Sequence, residues 1–356
     1  MKILLIIVAI AAAFALSVFI YVKSHPVFGG IPDEEQKKRI DNSTNYANGV
    51  FVNLEPTVLM NQDEGSMFKT MIEWIKGPEN GRPDKVITSD FDANEFNSSS
   101  DSSFNVTWFG HSTVMLNMDG NNILIDPVFS EYASPVPGIN GSFKFSNVTD
   151  YKDIPDVDIV LISHDHYDHL DMPTIKNLDE RVKQYLVPLG IKAHLVRWGV
   201  NADKITEFDW WEEVNHNGLQ LVSTPARHFS GRGFTRNTTL WCSWVIKTDN
   251  HSVFFGGDSG YGKHFSMIGE KYGPFDLTFI ECGQYNTRWP NVHAQPEESV
   301  QANIDVKGEK MVAIHWSKYQ LALHSWTDPI ERARAEAKDK GVILLEPVIG
   351  EVFKVN

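Results

Sequence analysis

The stretch SHDHYDHLD, residues 163–171, places four candidate metal ligands within six positions: His164, His166, Asp168 and His169. Imidazole and carboxylate groups are ligands for zinc and similar divalent ions. The stretch directly follows the apolar run Ile159–Ile162, which is typical of a buried β-strand. On a loop held by such a strand, alternate side chains can converge on one ion and the next pair can reach a second. The sequence therefore predicts a metal site here, in which Asp165 is solvated and Asp171 has no assigned role.

Three more candidate ligands each follow an apolar, strand-like run elsewhere in the chain: His228, Asp258 and His315. They lie in the stretches STPARHFSGRG, FFGGDSGY and MVAIHWSKY. The glycines before Asp258 allow a close approach of the backbone. Because all three repeat the context of His164, we expect the ends of these strands to bring them to the same site.

The elements that must position these residues alternate between short strands and helices. Strand-like runs are predicted at Asn105–Phe109, Thr113–Met118, Ile123–Ile125, Ile159–Ile162, Leu219–Thr224, Leu240–Ile246, Ser252–Phe255, Leu277–Ile280 and Met311–Ala313. Helical patterns lie near 67–76, 173–179, 189–198, 263–271, 296–305 and 328–340. The polar, serine-rich residues 94–105 are interpreted as a loop or linker. This order predicts a layered α/β domain with mixed sheets.

Ten stretches resemble the metallo-β-lactamase superfamily, specifically the branch that contains N-acylphosphatidylethanolamine-hydrolysing phospholipase D. They are WFGHSTVML, IDPVFSEYASP, LISHDHYDHLD, DWWEE, TPARHFSGRG, LWCSW, FFGGDSGY, GPFDL, RWPNVHAQPEES and AIHWSKYQLA. The resemblance covers about residues 105–350. It implies a four-layer αβ/βα sandwich with mixed sheets and with the metals at one sheet edge.

The resemblance also assigns the candidate ligands to two zinc ions. His164, His166 and His228 match the ligands of the first ion, and Asp168, His169 and His315 match those of the second. Asp258 matches the carboxylate that bridges both ions. All seven positions carry the expected residue type, while His111 is expected to lie behind the ligands.

The activity implied by the resemblance is hydrolysis of a phosphodiester by water that the two zinc ions activate. Asp258 then orients the nucleophile, and His293 is the candidate for a phosphate contact or a general acid. Tyr167 is a second candidate substrate contact. The expected substrate is N-acylphosphatidylethanolamine or a related phospholipid. A lactonase or amide hydrolase with the same metal site is the first alternative, and a non-catalytic metal-binding surface protein is the second.

The N-terminus predicts membrane attachment. Residues 3–22 are almost wholly apolar between Lys2 and Lys23, and about 20 such residues span a bilayer. The stretch Ala13-Phe14-Ala15 resembles a signal-peptidase site, but apolar residues continue beyond it, which favours an uncleaved anchor. We therefore expect an anchor or signal segment at 1–23, an extension packed on the core at 24–100 and the hydrolase domain at 101–356.

The net charge and the candidate glycosylation sites limit the partners and the cellular location that we expect. Lys2 and the amino terminus favour a cytoplasmic N-end, so the catalytic domain is expected on the exported side. Seven Asn-x-Ser/Thr sequons are compatible with a lumenal location: Asn42, Asn97, Asn105, Asn140, Asn147, Asn237 and Asn250. The formal net charge of −14 disfavours nucleic acid as a partner. Cys242 and Cys282 are expected to be buried free thiols.

Overall fold

The computed structural model describes residues 1–61, 72–74, 76–98 and 104–355. Its described residues form a small hairpin and two mixed sheets of seven strands each. The hairpin consists of β1 (Tyr46–Ala47) and β2 (Val50–Phe51). The helix predicted near 67–76 lies largely outside the described residues.

The first large sheet has the strand order β16-β3-β4-β5-β6-β7-β8. Its strands are β3 (Phe104–Trp108), β4 (Val114–Met118), β5 (Asn121–Ile125), β6 (Val157–Leu161), β7 (Val182–Pro188), β8 (Ile205–Phe208) and β16 (Val352–Lys354). Pairing is antiparallel from β16 to β5 and parallel from β5 to β8.

The second large sheet repeats this arrangement in the order β15-β14-β13-β12-β11-β10-β9. Its strands are β9 (Glu213–His216), β10 (Leu219–Thr224), β11 (Ser243–Lys247), β12 (Ser252–Phe255), β13 (Phe275–Glu281), β14 (Gly308–Ile314) and β15 (Ile343–Leu345). Pairing is antiparallel from β9 to β12 and parallel from β12 to β15.

Helices cover the outer face of each sheet. The described α-helices are Lys2–Ser24, Glu34–Asp41, Ala93–Asn97, Met172–Leu178, Lys192–Trp198, His264–Tyr272, Pro296–Asp305 and Asp328–Lys340. Met172–Leu178 and Lys192–Trp198 pack their apolar side chains on the first sheet. His264–Tyr272, Pro296–Asp305 and Asp328–Lys340 do the same on the second sheet.

Side-chain alternation along the strands explains the four layers. On β6 and the residue after it, Ile159 and Leu161 enter the cluster between the sheets, whereas Val160 and Ile162 face the outer helices. Such two-sided burial produces the continuous apolar runs that are typical of central strands. The predicted four-layer α/β sandwich with mixed sheets is confirmed.

Several local predictions differ from the structure. Strands β7, β8, β9, β15 and β16 were not predicted; β9, β15 and β16 are edge strands of only three or four residues. The predicted loop at 94–105 begins with the helix Ala93–Asn97, because Asp92 caps the amides of Asn94 and Glu95. The predicted strand at 240–246 pairs only from Ser243 onward.

The two cysteines are both buried and free, as predicted. Residues before the first large sheet contribute to the central core, since Ile40, Phe51 and Val86 all belong to the cluster between the sheets. The helix Lys2–Ser24 has no buried residue, and it is the one described helix long and apolar enough to cross a membrane.

The inter-sheet cluster should dominate stability. Ile159→Ala removes a fully buried side chain, so we expect the free energy of unfolding to fall by about 2–4 kcal/mol. Ile343→Ala is the matched control, because Ile343 is 55% exposed on an edge strand and should change stability by less than about 0.5 kcal/mol. Urea unfolding of the full chain in detergent measures both. Equal losses for the two variants would contradict the assignment of the core.

Candidate metal centre

The candidate ligands lie where strands of the two sheets end. The metal loop, residues 163–171, follows β6 of the first sheet, and His228 follows β10 of the second. Asp258 follows β12 and His315 follows β14. His315 has a φ of 67°, and its amide donates to the carbonyl of His111, whose φ is 54° and whose amide donates to Trp316. Positive φ at bulky residues is uncommon and needs such support from its surroundings.

A first ligand group consists of His164, His166, His228 and Asp258, whose ligand atoms all lie within 4.8 Å of one another. His166 Nδ1 is 2.8 Å from His164 Nε2 and 3.2 Å from His228 Nε2. Asp258 Oδ2 is 3.8 Å from His164 Nε2 and 3.7 Å from His228 Nε2.

A second ligand group consists of Asp168, His169, His315 and again Asp258. Asp168 Oδ2 is 3.6 Å from His169 Nε2 and 3.4 Å from His315 Nε2. Asp258 Oδ1 is 3.1 Å from His169 Nε2, and its Oδ2 is 3.2 Å from His315 Nε2. One carboxylate therefore reaches both groups.

These groups fit divalent metal ions. Zinc–nitrogen bonds of about 2.0–2.1 Å at tetrahedral angles place neighbouring ligand atoms about 3.3–3.4 Å apart, close to the distances found here. Because His228 Nδ1 lies 2.8 Å from the carbonyl of Val292, that nitrogen carries the proton and Nε2 presents a lone pair to the site. The buried atoms His169 Nε2 and Asp258 Oδ1 lie 3.1 Å apart, and neither makes a hydrogen bond with any other described group. A cation between them satisfies both.

Two carboxylates that sequence reasoning missed contact the Nδ1 atoms of histidines in the site. Asp126 Oδ2 is 2.7 Å from His169 Nδ1, and the Asp126 carboxylate also accepts from the amide and hydroxyl of Ser163. Glu281 Oε2 is 3.0 Å from His315 Nδ1 and 2.8 Å from His293 Nδ1. Such partners fix the ring orientation of metal-binding histidines. Both residues end apolar runs, so the context that singled out His228 also pointed to them.

His111 adjoins the second ligand group, since a ring nitrogen of His111 and ligand atoms of Asp168, His169 and His315 all lie within 4.8 Å of one another. Its Nε2 is 2.8 Å from Asp168 Oδ2. Burial and the neighbouring His315 lower the pKa of His111 to about 3, so the ring is neutral and donates its Nε2 proton to the carboxylate. His111 thereby orients an oxygen of the second ligand group.

Asp165 is buried, which contradicts the expectation that it is solvated. Its Oδ1 accepts from the amide of Gly231, and its Oδ2 lies 3.5 Å from His194 Nε2. Burial alone raises the pKa of Asp165, but the hydrogen bond with His194 and nearby positive charges outweigh it and lower that pKa to about 2. Asp165 therefore holds the metal loop as a buried anion. Asp171 caps the following helix by accepting from the amide of Thr174.

Tyr167 points away from the ligands. Its hydroxyl donates to the carbonyl of Arg232 at 2.6 Å, and the Arg232 guanidinium lies 4.1 Å from the centre of its ring. The hydroxyl is thus already used inside the protein, and this geometry gives no support to a substrate contact by Tyr167.

His293 lies in the wall of a cleft of about 220 Å³ that exposes both ligand groups. Glu281 holds its Nδ1, and its ring stacks at 5.0 Å on that of His315. The other cleft residues combine apolar and charged or polar side chains: Leu59, Met60, His166, Asp168, Phe229, Arg236, Asp258, Gln284, Trp289, Val292, His315 and Leu321. The cleft therefore suits an amphipathic ligand whose polar part faces the metals.

Comparisons with known proteins agree with this class of site, that of a metal-dependent hydrolase. A family model for the β-lactamase superfamily domain matches residues 121–316. A solved metallo hydrolase from the archaeon Ignicoccus hospitalis superposes with a TM-score of 0.55 at 19% identity, covering 71% of this chain and 99% of that one. The chain belongs to the metallo-β-lactamase superfamily.

Two curated relatives are similar over most of their length. An uncharacterised protein of Mycobacterium tuberculosis is 41% identical over 315 residues, 87% of this chain and 84% of that protein. The N-acyl-phosphatidylethanolamine-hydrolyzing phospholipase D 1 of Caenorhabditis elegans is 33% identical over 278 residues, 72% of this chain and 77% of that protein. The predicted resemblance to this branch is confirmed.

Loss of a supporting carboxylate should weaken metal binding without removing a ligand. For Asp126→Asn we expect about 10- to 100-fold lower affinity at the second ligand group, since His169 loses its anionic partner. Asp158→Asn is the control, because Asp158 pairs with the exposed Lys183 near the start of β6, at the opposite end of that strand from the metal loop. Metal content after dialysis against metal buffers measures the difference. Equal metal retention by both variants would argue against the orienting role.

Metal binding at the second ligand group should strengthen as pH rises. Burial alone lowers the pKa of His315, but Asp258, Asp168 and Glu281 outweigh it and raise that pKa to about 10. Burial also lowers the pKa of His169, but Asp258, Asp168 and Asp126 outweigh it and raise that pKa well above its ordinary value. Both rings carry a proton at neutral pH in the metal-free protein, and an ion must displace it.

We therefore expect the affinity for zinc to increase between pH 7 and pH 8. Histidines with an ordinary pKa of about 6.5 would produce little change in that window. Competition with a chromophoric chelator at several pH values is a suitable measurement. A flat profile above pH 7 would contradict the raised pKa values.

Proposed function

We propose that this chain is a membrane-anchored, dinuclear-zinc phosphodiesterase of phospholipase D type, acting on N-acylphosphatidylethanolamine or a related phospholipid. The observation that carries the proposal is Asp258, whose carboxylate reaches both ligand groups at the floor of one amphipathic cleft. The similarity to the phospholipase D of Caenorhabditis elegans supports the choice of a phosphodiester.

In this proposal seven side chains hold the two ions: His164, His166 and His228 for the first, Asp168, His169 and His315 for the second, and Asp258 for both. When bound, two divalent ions activate water at neutral pH and stabilise the negative charge that develops on a phosphate. Asp258 orients the attacking water through a buried carboxylate that is only 3% exposed.

His293 supplies the proton for the leaving group or a contact to the phosphate. Its Nδ1 faces Glu281 and its ring lies in the cleft wall, so Nε2 is the nitrogen left for substrate. Arg236 provides positive charge in the same wall, and it forms no ion pair within the described part of the chain. A phosphate held by Arg236 would share the cleft with His293, because both side chains line it.

The apolar part of the cleft supports a lipid substrate. Leu59, Met60, Phe229, Trp289 and Leu321 provide a surface on which acyl chains can be desolvated. The helix Lys2–Ser24 acts in this proposal as a single anchor that keeps the cleft beside a bilayer, with the catalytic domain on the exported side.

The proposal predicts two zinc ions per chain and release of phosphatidic acid from an N-acylated phosphatidylethanolamine. Asp258→Asn should lower kcat by about 100-fold or more, because it removes the shared ligand and the group that orients the nucleophile. Asp203→Asn, at an exposed position in the 3-10 helix Ala202–Lys204, is the control and should leave kcat unchanged.

Lipid turnover by the full chain in mixed micelles, run beside lactone and amide substrates, is the decisive assay. Turnover of a lactone or amide without lipid cleavage would reject the phosphodiesterase and favour a lactonase or amide hydrolase. Undiminished lipid turnover by Asp258→Asn would reject the proposed metal centre.

A further inference from the structure

The segment that follows the apolar helix is fixed to the catalytic body. Arg197 donates to the carbonyls of Ser24 and Gly29, each at 2.6 Å, and Trp198 Nε1 donates to the carbonyl of Pro26 at 2.7 Å. Gly30 packs so closely that an added Cβ would lie 1.9 Å from the carbonyl oxygen of Ala193. The helix therefore leaves the body in a defined direction.

Arg232 connects this segment to the metal loop. Its Nε donates to the carbonyl of Val27, and its Nη1 donates to the carbonyls of Asp165 and Leu170. The side chain is buried, and its guanidinium also lies over the ring of Trp198. The direction of the helix is thus set relative to the metal centre itself.

Two body loops contact the last turns of the helix. The ring of Phe234 stacks on that of Phe19 with 6.1 Å between centroids and 12° between planes. On the other loop, the carbonyl of Pro135 accepts from the Tyr21 hydroxyl at 2.9 Å. Both contacts are made before the helix ends at Ser24.

The length of the helix determines how deep in a bilayer these contacts would lie. At 1.5 Å per residue the 23-residue helix is about 34 Å long, similar to the ~30 Å hydrocarbon core of a bilayer. Phe19 lies five residues before the end of the helix, so its ring is about 7–8 Å inside that end. When the helix spans a bilayer, Phe234 lies at its boundary, because it stacks on Phe19.

The composition of the two loops fits that position. Phe234 is 62% exposed, Ile139 is 52% exposed and Val136 is 41% exposed. Residues 132–143 and 233–235 contain no charged side chain, in a chain of which 22% is charged. Exposed apolar side chains that adjoin an apolar helix are typical of a membrane contact.

We propose that loops 133–139 and 233–235 form a bilayer-contact surface, which holds one wall of the active-site cleft against the lipid headgroups. The cleft residues Phe229 and Arg236 flank the second loop in the chain, so this loop adjoins the cleft. The inference rests on the proposed role of Lys2–Ser24 as a membrane anchor. It goes beyond that role by identifying the face of the catalytic domain that contacts the lipid.

Single-cysteine labelling tests the surface directly. Since Cys242 and Cys282 are buried, an introduced exposed cysteine is selectively labelled in the folded protein. Phe234→Cys and Ile139→Cys carry an environment-sensitive fluorophore, and Met267→Cys is the matched control on the helix that covers the second sheet. The full chain is reconstituted into phosphatidylcholine vesicles containing lipids with nitroxide-labelled acyl chains.

We expect blue-shifted emission and quenching by the nitroxide lipids at positions 234 and 139, and quenching by aqueous iodide at position 267. Equal iodide quenching at all three positions in chains that float with the vesicles would overturn the inference. Failure of the chain to float with vesicles would overturn it as well. Because this measurement needs no turnover, a failure of lipid hydrolysis is distinguished from a failure of the contact surface.

A second measurement uses activity. Phe234→Asp should lower turnover of vesicle lipid several-fold while leaving turnover of a monomeric short-chain substrate unchanged, because Phe234 is outside the cleft. Met267→Asp should change neither rate. Wild-type turnover of vesicle lipid by Phe234→Asp would contradict the proposed surface.

Discussion

The structure depends on the crowding of buried carboxylates and imidazoles at the ends of the strands. Asp258 is 3% exposed and His169 is fully buried, and Asp258 Oδ1 lies 3.1 Å from His169 Nε2. Burying charged groups is costly unless they are paired or bind metal ions. Divalent ions remove that cost, and the surrounding fold can be understood as the arrangement that keeps the ligands in place until the ions bind.

Both sheets position the ligands. The parallel part of the first sheet ends at the metal loop, and the parallel part of the second ends at Asp258, Glu281 and His315. The segment before β11 joins them, since the amide of Cys242 donates to the carbonyl of Ser163. Behind the ligands, Asp126 and Glu281 fix the rings of three histidines. A cleft that opens on both ligand groups then limits what can reach them.

Sequence reasoning predicted the layers and brought together all seven proposed ligands, because a polar residue after an apolar strand is a local signal. Asp126 and Glu281 carry the same signal but were not recognised, since carboxylates at strand ends are also ordinary capping groups. The burial of Asp165 was not predictable, because it depends on Gly231 and His194, which are distant in the sequence. The same is true of Arg232, whose partners come from three segments of the chain.

The N-terminal segment connects the apolar helix to the metal loop. Its contacts with Arg197, Trp198 and Arg232 give the apolar helix a fixed direction relative to the metal loop. The account of the centre itself is tested most directly by crystals grown with zinc and measured at the zinc absorption edge. It predicts two anomalous peaks about 3.5–4 Å apart, one in each ligand group with Asp258 between them. A single peak, or a peak held by Glu281 and His293, would contradict it.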